Sequence, residues 1–247
     1  GDFHWFDADP ATFDRIQREV LRHVALRGNV ETELAQNKPI SDAGCGCAYP
    51  DWVDDGVVDR SNRILQRLWA AATPTHRAEL AALPMWQTAS VGDMRIGIVH
   101  GDAQSLAGWS FAQEHLADAA HREQVREWFE QTGMDAFASS HTCTAAFHHQ
   151  PLTHGGTGLI SNNGAAGMPS APSQQQTSCL DGLFTRIAAT PLNNPDLVFQ
   201  STQLNGMWIE QVRVQYDQTA WQQHFLREWP EGTAAHTSYF KRISQGV

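Results

Sequence analysis

Met94-Arg95-Ile96-Gly97-Ile98-Val99-His100-Gly101-Asp102 is a short apolar run that ends on a histidine and a glycine. Its apolar and β-branched residues predict a strand over 94–99, and a second run over 87–91 precedes it across the turn pair Gly92-Asp93. The pattern returns downstream, where 134–138 predicts a strand that runs into Ser139-Ser140-His141-Thr142-Cys143. Between the two, 111–131 reads as an amphipathic helix with Leu116, Val125, Trp128 and Phe129 as its core face. Strand, helix, strand is the order of a parallel α/β unit.

The same order can be read at the start of the chain. Gly1-Asp2-Phe3-His4-Trp5-Phe6 reads as the end of a buried strand running into a loop. Asp9 and Pro10 then predict a helix over 10–22, with Phe13, Ile16 and Val20 at helical spacing. Val24-Ala25-Leu26 follows as a short strand ending in Arg27-Gly28-Asn29-Val30-Glu31. The stretch near 42–86 differs: it opens on the turn Gly44-Cys45-Gly46-Cys47-Ala48-Tyr49-Pro50 and continues with helical patterns, so it reads as a helical insertion within a single domain spanning 1–247. Beyond residue 150 the pattern is β. Leu159-Ile160 leads into Ser161-Asn162-Asn163-Gly164, 170–178 reads as polar loop, and Asn205-Gly206 joins strands over 197–204 and 207–216 as a hairpin. A last helix covers 218–229.

Asp2, Asn29, His100 and His141 thus each sit just past a segment read as a strand. Loops beyond the carboxyl ends of parallel strands converge on one edge of a sheet, which is where α/β proteins gather their ligands. Four metal-capable side chains at four such ends point to one site.

These residues resemble the motifs of the calcineurin-like metallophosphoesterases, and within them the compact bacterial and archaeal phosphodiesterase branch. That family's pattern runs D-x-H, then G-D, G-N-[HC]-[DE], a His beside Gly, G-H-x-H, and a glycine-rich turn. Here Gly1-Asp2, Gly28-Asn29-Val30-Glu31, His100-Gly101, Ser140-His141-Thr142-Cys143 and Asn162-Asn163-Gly164-Ala165 stand in the second to last places in that order. The resemblance implies a four-layer α/β/β/α sandwich, two mixed sheets back to back with helices outside. It also implies hydrolysis of a phosphodiester or small nucleotide-like phosphate ester by two divalent ions (Mn, Fe, Zn or similar) sharing a hydroxide. Asp2 would bridge the ions, and Asn29, His100 and His141 would complete the second metal site. The D-x-H segment expected upstream of Asp2 is not in this sequence, which makes Gly1 read as a cut through the family fold. Reading Asp2-Phe3-His4 as D-x-H itself would leave Asn29 in the place of the bridging Asp.

Two departures bear on chemistry. Cys143 stands where the family has the last His of G-H-x-H; a thiolate can bind zinc or iron, and a buried thiol can equally be a small hydrophobe. Val30 stands where other members carry the His that protonates the leaving group, so the resemblance points to substrates whose leaving group needs no acid. Glu31 reads as a residue that orients a loop. These departures also fit a second reading, a degenerate metal- or ligand-binding module with a regulatory or scaffold role.

Other residues weigh less. His148-His149 and His154 read as a solvated loop, Trp5 and Phe6 as core, and Asp102 as either a partner of a ligand His or a water-facing carboxylate. The formal net charge of −10 over 247 residues, with no Lys/Arg cluster, argues against holding a nucleic-acid duplex by counterion release. It suits recruitment of cations. No stretch approaches the roughly 18 apolar residues of a membrane span, and residues 1–10 lack a signal-peptide pattern. Four cysteines do not make a disulfide scaffold, so the expectation is a cytoplasmic protein with reduced thiols.

Overall fold

The computed structural model describes residues 1–38, 44–49, 53–168 and 181–246, which form two compact units. The first comprises Gly1–Met85 and Gln218–Ser244, and the second is built on Trp86–Asp217. The polar stretch 170–178, Pro50 and Cys179 lie outside the described residues.

In the first unit, α1 (Pro10–Val20) starts where the sequence predicts, with Asp9 accepting from the Thr12 N–H at 2.8 Å. It is followed by α2 (Asn29–Leu34), α3 (Asp55–Ala71) and α4 (Pro74–Ala82), the last two being the helices expected near 42–86. The strands expected at 1–6 and 24–26 do not form: these residues are turn and loop. A strand needs a neighbouring chain to take its alternate N–H groups. Here other groups take them. The buried Glu31 carboxylate accepts from the N–H of Asp2 (2.6 Å) and of His4 (3.2 Å), and Arg27 N–H donates to the Pro84 carbonyl at 2.9 Å.

His4 is itself fully buried, stacked on Phe13 with ring centroids 3.7 Å apart. Its Nδ1 lies 2.9 Å from Asp7 Oδ2 and its Nε2 2.8 Å from Gln17 Oε1, while Gln17 Nε2 donates to Glu79 at 3.0 Å. One polar chain therefore ties the first residues to α1 and α4. Trp5 and Phe6 pack as core against Tyr239 and Phe225.

The second unit holds both sheets. β1 (Trp86–Val91) and β2 (Met94–Val99) form the expected hairpin, Trp86 opposite Val99. β3 (Ala136–Ser139), β4 (Ala146–Pro151) and β5 (Thr157–Asn162) complete a mixed sheet of order β1-β2-β3-β5-β4, in which β2, β3 and β5 are parallel. The helix expected over 111–131 is two, α5 (Gln113–Ala117) and α6 (Ala119–Thr132). Asp118 divides them: its backbone is extended, and its carboxylate accepts from Ala120 N–H at 3.1 Å, so it ends one helix and caps the next. Phe111, Val125, Trp128 and Phe129 pack on Phe137 and Ile160 of the sheet.

A second sheet, β6 (Gly182–Ala188), β7 (Val198–Leu204) and β8 (Met207–Val214), is antiparallel with order β6-β8-β7. Asn205 and Gly206 both have positive φ, 49° and 77°, as the tight β7–β8 turn requires. Met94, Ile96, Ala136 and Leu159 of the first sheet meet Ile209 of the second in an apolar layer. The chain then returns to the first unit as α7 (Gln218–Glu228) and α8 (Ala234–Gln245), of which the sequence predicted only α7. The class is α/β, a mixed five-stranded sheet and a three-stranded sheet flanked by helices. No helix among the described residues is long and apolar enough to cross a membrane.

β4 overturns one expectation. His148 and His149 are in a strand, opposite Ile160 and Leu159, and not in a solvated loop. Burial pushes the His148 imidazole below its ordinary pKa of 6.5. The unfolded chain takes up this proton at a higher pH than the folded one, so stability falls as pH drops through about 6.5 toward the lower folded value. Urea midpoints of His148→Gln measured between about pH 7.5 and 5 should fall less steeply than those of the parent. Equal slopes would remove His148 from the acid response.

Candidate metal centre

In the second unit His100 follows β2 directly and His141 stands two residues beyond β3. Because these strands are parallel neighbours, both histidines emerge at the same sheet edge. The backbone N–H groups of Ser140 and His141 donate to the His100 carbonyl at 3.1 and 2.9 Å, which locks the two strand ends together. Both side chains are buried, and His141 Nδ1 lies 3.1 Å from His100 Nε2. Two imidazole nitrogens bound at about 2.1 Å to one ion, at roughly tetrahedral or octahedral angles, stand about 2.9 to 3.4 Å apart. The observed pair falls in that range. The same distance lets one ring donate to the other, so the pair is held with or without an ion. Ser140 Oγ is 3.4 Å from His100 Nδ1, and Trp109 sets its ring edge-on to His141 at 5.4 Å.

The turn after β5 supports this edge. Asn162 Nδ2 donates to Thr142 Oγ1 at 2.6 Å while its Oδ1 accepts from Gly164 N–H at 2.9 Å. Gly164 has φ 66°, and a Cβ there would stand 2.8 Å from the Cys143 carbonyl oxygen, so glycine serves backbone geometry. The Cys143 thiol donates to the His141 carbonyl at 3.6 Å. Asp102 takes neither role expected of it. It is buried and accepts from the N–H groups of Gln104, Ser105 and Ser110 (3.0, 2.8 and 3.2 Å), so it shapes the loop after β2.

In the first unit Asp2 adopts φ 61°, a left-handed conformation uncommon outside glycine. Its Oδ1 accepts from Val30 N–H at 2.9 Å, and Glu31 accepts from both Gly28 N–H (2.8 Å) and Asp2 N–H. Glu31 is thus an organiser of the loop, as the sequence reading has it. The two glycines are there for close approach: a Cβ on Gly28 would overlap Asp2 Oδ1, and one on Gly1 would overlap Gly28. Asn29 is buried in the first turn of α2, and its Nδ2 donates to the Cys45 carbonyl (2.9 Å) and to Cys47 Sγ (3.3 Å). Cys45 and Cys47 are joined by a disulfide, contrary to the expectation of reduced thiols. Burial pushes the Glu33 carboxyl, beneath Gly46, above its ordinary range.

The alternative placing of D-x-H on Asp2-Phe3-His4 fails, because both His4 ring nitrogens are engaged inside the unit, by Asp7 and Gln17.

Two solved structures share this architecture. A metallophosphoesterase from Sphaerobacter thermophilus superposes with a TM-score of 0.53 at 15% identity, over 97% of this chain and 84% of its own. The chain has the metallophosphoesterase fold. A hypothetical protein from Pyrococcus horikoshii OT3 gives 0.57 at 14% identity, over 94% of this chain and 79% of its own. No family model and no curated protein matches the sequence. The two imidazoles of the second unit, and the carboxylate and carboxamide of the first, are each donor types that suit a divalent ion such as Mn, Fe or Zn.

Proposed function

We propose that the protein is a metal-dependent phosphoesterase acting on a phosphodiester or small nucleotide-like phosphate ester, with Asp2, Asn29, His100 and His141 as the residues that hold divalent metal. The observation that carries this reading is the His100–His141 pair, two buried imidazoles at ligand spacing on the ends of adjacent parallel strands. In this reading Asp2, held by Val30 N–H in the first unit, supplies a carboxylate oxygen beside those two nitrogens. When bound, divalent metal supplies Lewis-acid polarisation of the phosphoryl oxygens and a nucleophile at neutral pH. The family's use of two ions is adopted in this reading, with Cys143 as a further ligand to test.

The chain's own residues do the positioning. Val30 N–H orients the Asp2 carboxylate, and the bonds from the Ser140 and His141 N–H groups to the His100 carbonyl hold the two strand ends that carry the rings. At position 30 a buried valine offers no proton to a leaving group. Aryl phosphodiesters, whose leaving groups are acidic, should therefore be cleaved in preference to alkyl ones.

The test is hydrolysis of bis(p-nitrophenyl) phosphate with added Mn²⁺. Activity should vanish with EDTA, return with Mn²⁺, and fall at least about a hundredfold in His141→Ala. Equal rates for the parent and His141→Ala would remove His141 from the reaction. Tight metal binding with no hydrolysis of any phosphate ester would select the second reading, a degenerate binding module, which the absent acid at Val30 favours.

A further inference from the structure

Asn29 is gripped by the turn that carries the disulfide. Its Nδ2 donates to two acceptors, the Cys45 carbonyl and Cys47 Sγ, and both belong to the ring closed by the Cys45–Cys47 bond. The turn is anchored on its far side, where Tyr49 Oη lies 3.6 Å from the buried Cys45 sulfur and 2.8 Å from Ser61 Oγ on α3. Gly46, at φ 67°, lets the ring approach: a Cβ there would stand 3.5 Å from Asn29 Cβ and 3.1 Å from Glu33 Oε1.

A carboxamide binds a cation through oxygen alone, and its oxygen and nitrogen point to opposite sides of Cγ. Fixing Nδ2 on the turn therefore fixes which way Oδ1 faces. Cys45 holds φ 64°, a conformation that costs a non-glycine residue about 1 kcal/mol or more. Once the ring is opened, nothing covalent keeps Cys45 there. With Cys45 back at negative φ, its carbonyl turns away, and Cys47 carries a thiol in place of a disulfide sulfur.

We propose that the Cys45–Cys47 pair is a positioning device for Asn29 that makes metal binding depend on the oxidation state of the two sulfurs. The inference rests on the reading of Asn29 as a metal ligand. In the reducing direction the S–S bond breaks, a dithiol reductant supplies two electrons and two protons and closes to its own disulfide, and Cys45 and Cys47 end as thiols.

The experiment uses the full chain, oxidised or reduced with dithiothreitol and desalted without air, with the state of Cys45 and Cys47 verified by mass spectrometry of their alkylated peptide. Mn²⁺ binding is followed by the electron paramagnetic resonance signal of the free ion. Reduction should weaken binding roughly ten- to hundredfold, the usual effect of losing a group that orients a ligand. Cys45→Ser/Cys47→Ser should bind weakly under both conditions. Asn29→Asp, whose two oxygens are equivalent, should show no dependence on oxidation state. Equal affinity of oxidised and reduced parent overturns the proposal. Should the oxidised parent bind no Mn²⁺, the ligand reading fails by itself, and positioning is read instead in metal-free protein from the Asn29 side-chain ¹⁵N–¹H resonances, assigned by their loss in Asn29→Asp. Resonances that do not move on reduction overturn the positioning role.

Discussion

Gly28→Ala is expected to weaken Mn²⁺ binding by roughly ten- to hundredfold while the protein stays folded, the usual effect of disturbing what orients a metal ligand. Gly28 has φ −94° and ψ −165°, an extended conformation any residue adopts, so alanine brings no backbone strain. What it brings is a Cβ overlapping Asp2 Oδ1, 2.8 Å from Asp2 N and 2.9 Å from Asp2 Cγ. Rotation of the carboxylate away from Val30 N–H relieves the side-chain overlap, and the 2.8 Å contact with Asp2 N forces the Asp2 backbone to shift as well, against the bonds that tie it and Gly28 to Glu31. The substitution is in this respect a displaced Asp2 with its charge retained. Isothermal titration with Mn²⁺ and far-ultraviolet circular dichroism together read it. Unchanged affinity with native dichroism would show that Asp2 is not a ligand.

His4→Leu should cost about 3 kcal/mol of stability with little direct effect on metal chemistry, the scale expected when a buried polar pair loses one partner. The substitution leaves the Asp7 carboxylate and the Gln17 carbonyl without the ring that joins them, and it removes the stack on Phe13. Urea denaturation reads the loss. His4→Gln, which keeps one donor, should recover part of it. A change below about 1 kcal/mol in His4→Leu would mean the chain from Asp7 to Glu79 contributes little beyond packing.

The parts of the fold that were legible are those whose signals are local. β1, β2 and the Asn205-Gly206 hairpin announce themselves by alternation and turn chemistry, and His100 and His141 were found because the strands before them are apolar and short. β4 was not legible: it carries His148, His149 and Gln150, and it is a strand because β5 pairs with it. Asn29 is expected just past a strand and stands instead in the first turn of α2. Val24-Ala25-Leu26 has strand composition but no ladder, and the six residues of α2 are too few to show a helical period. The grip of Cys45 and Cys47 on Asn29 lies sixteen and eighteen residues away in sequence, beyond any pattern in composition.

Glu31 does for the first residues what a neighbouring strand would otherwise do, through three main-chain N–H groups: those of Asp2, His4 and Gly28. A carboxylate that reads only main-chain donors is indifferent to the side chains hung on them. The hold on the Asp2 main chain therefore does not pass through the Phe3 side chain, whose ring packs beside His4, whereas it passes through Glu31, because no exchange at 2, 3 or 4 can replace the three acceptances lost with it.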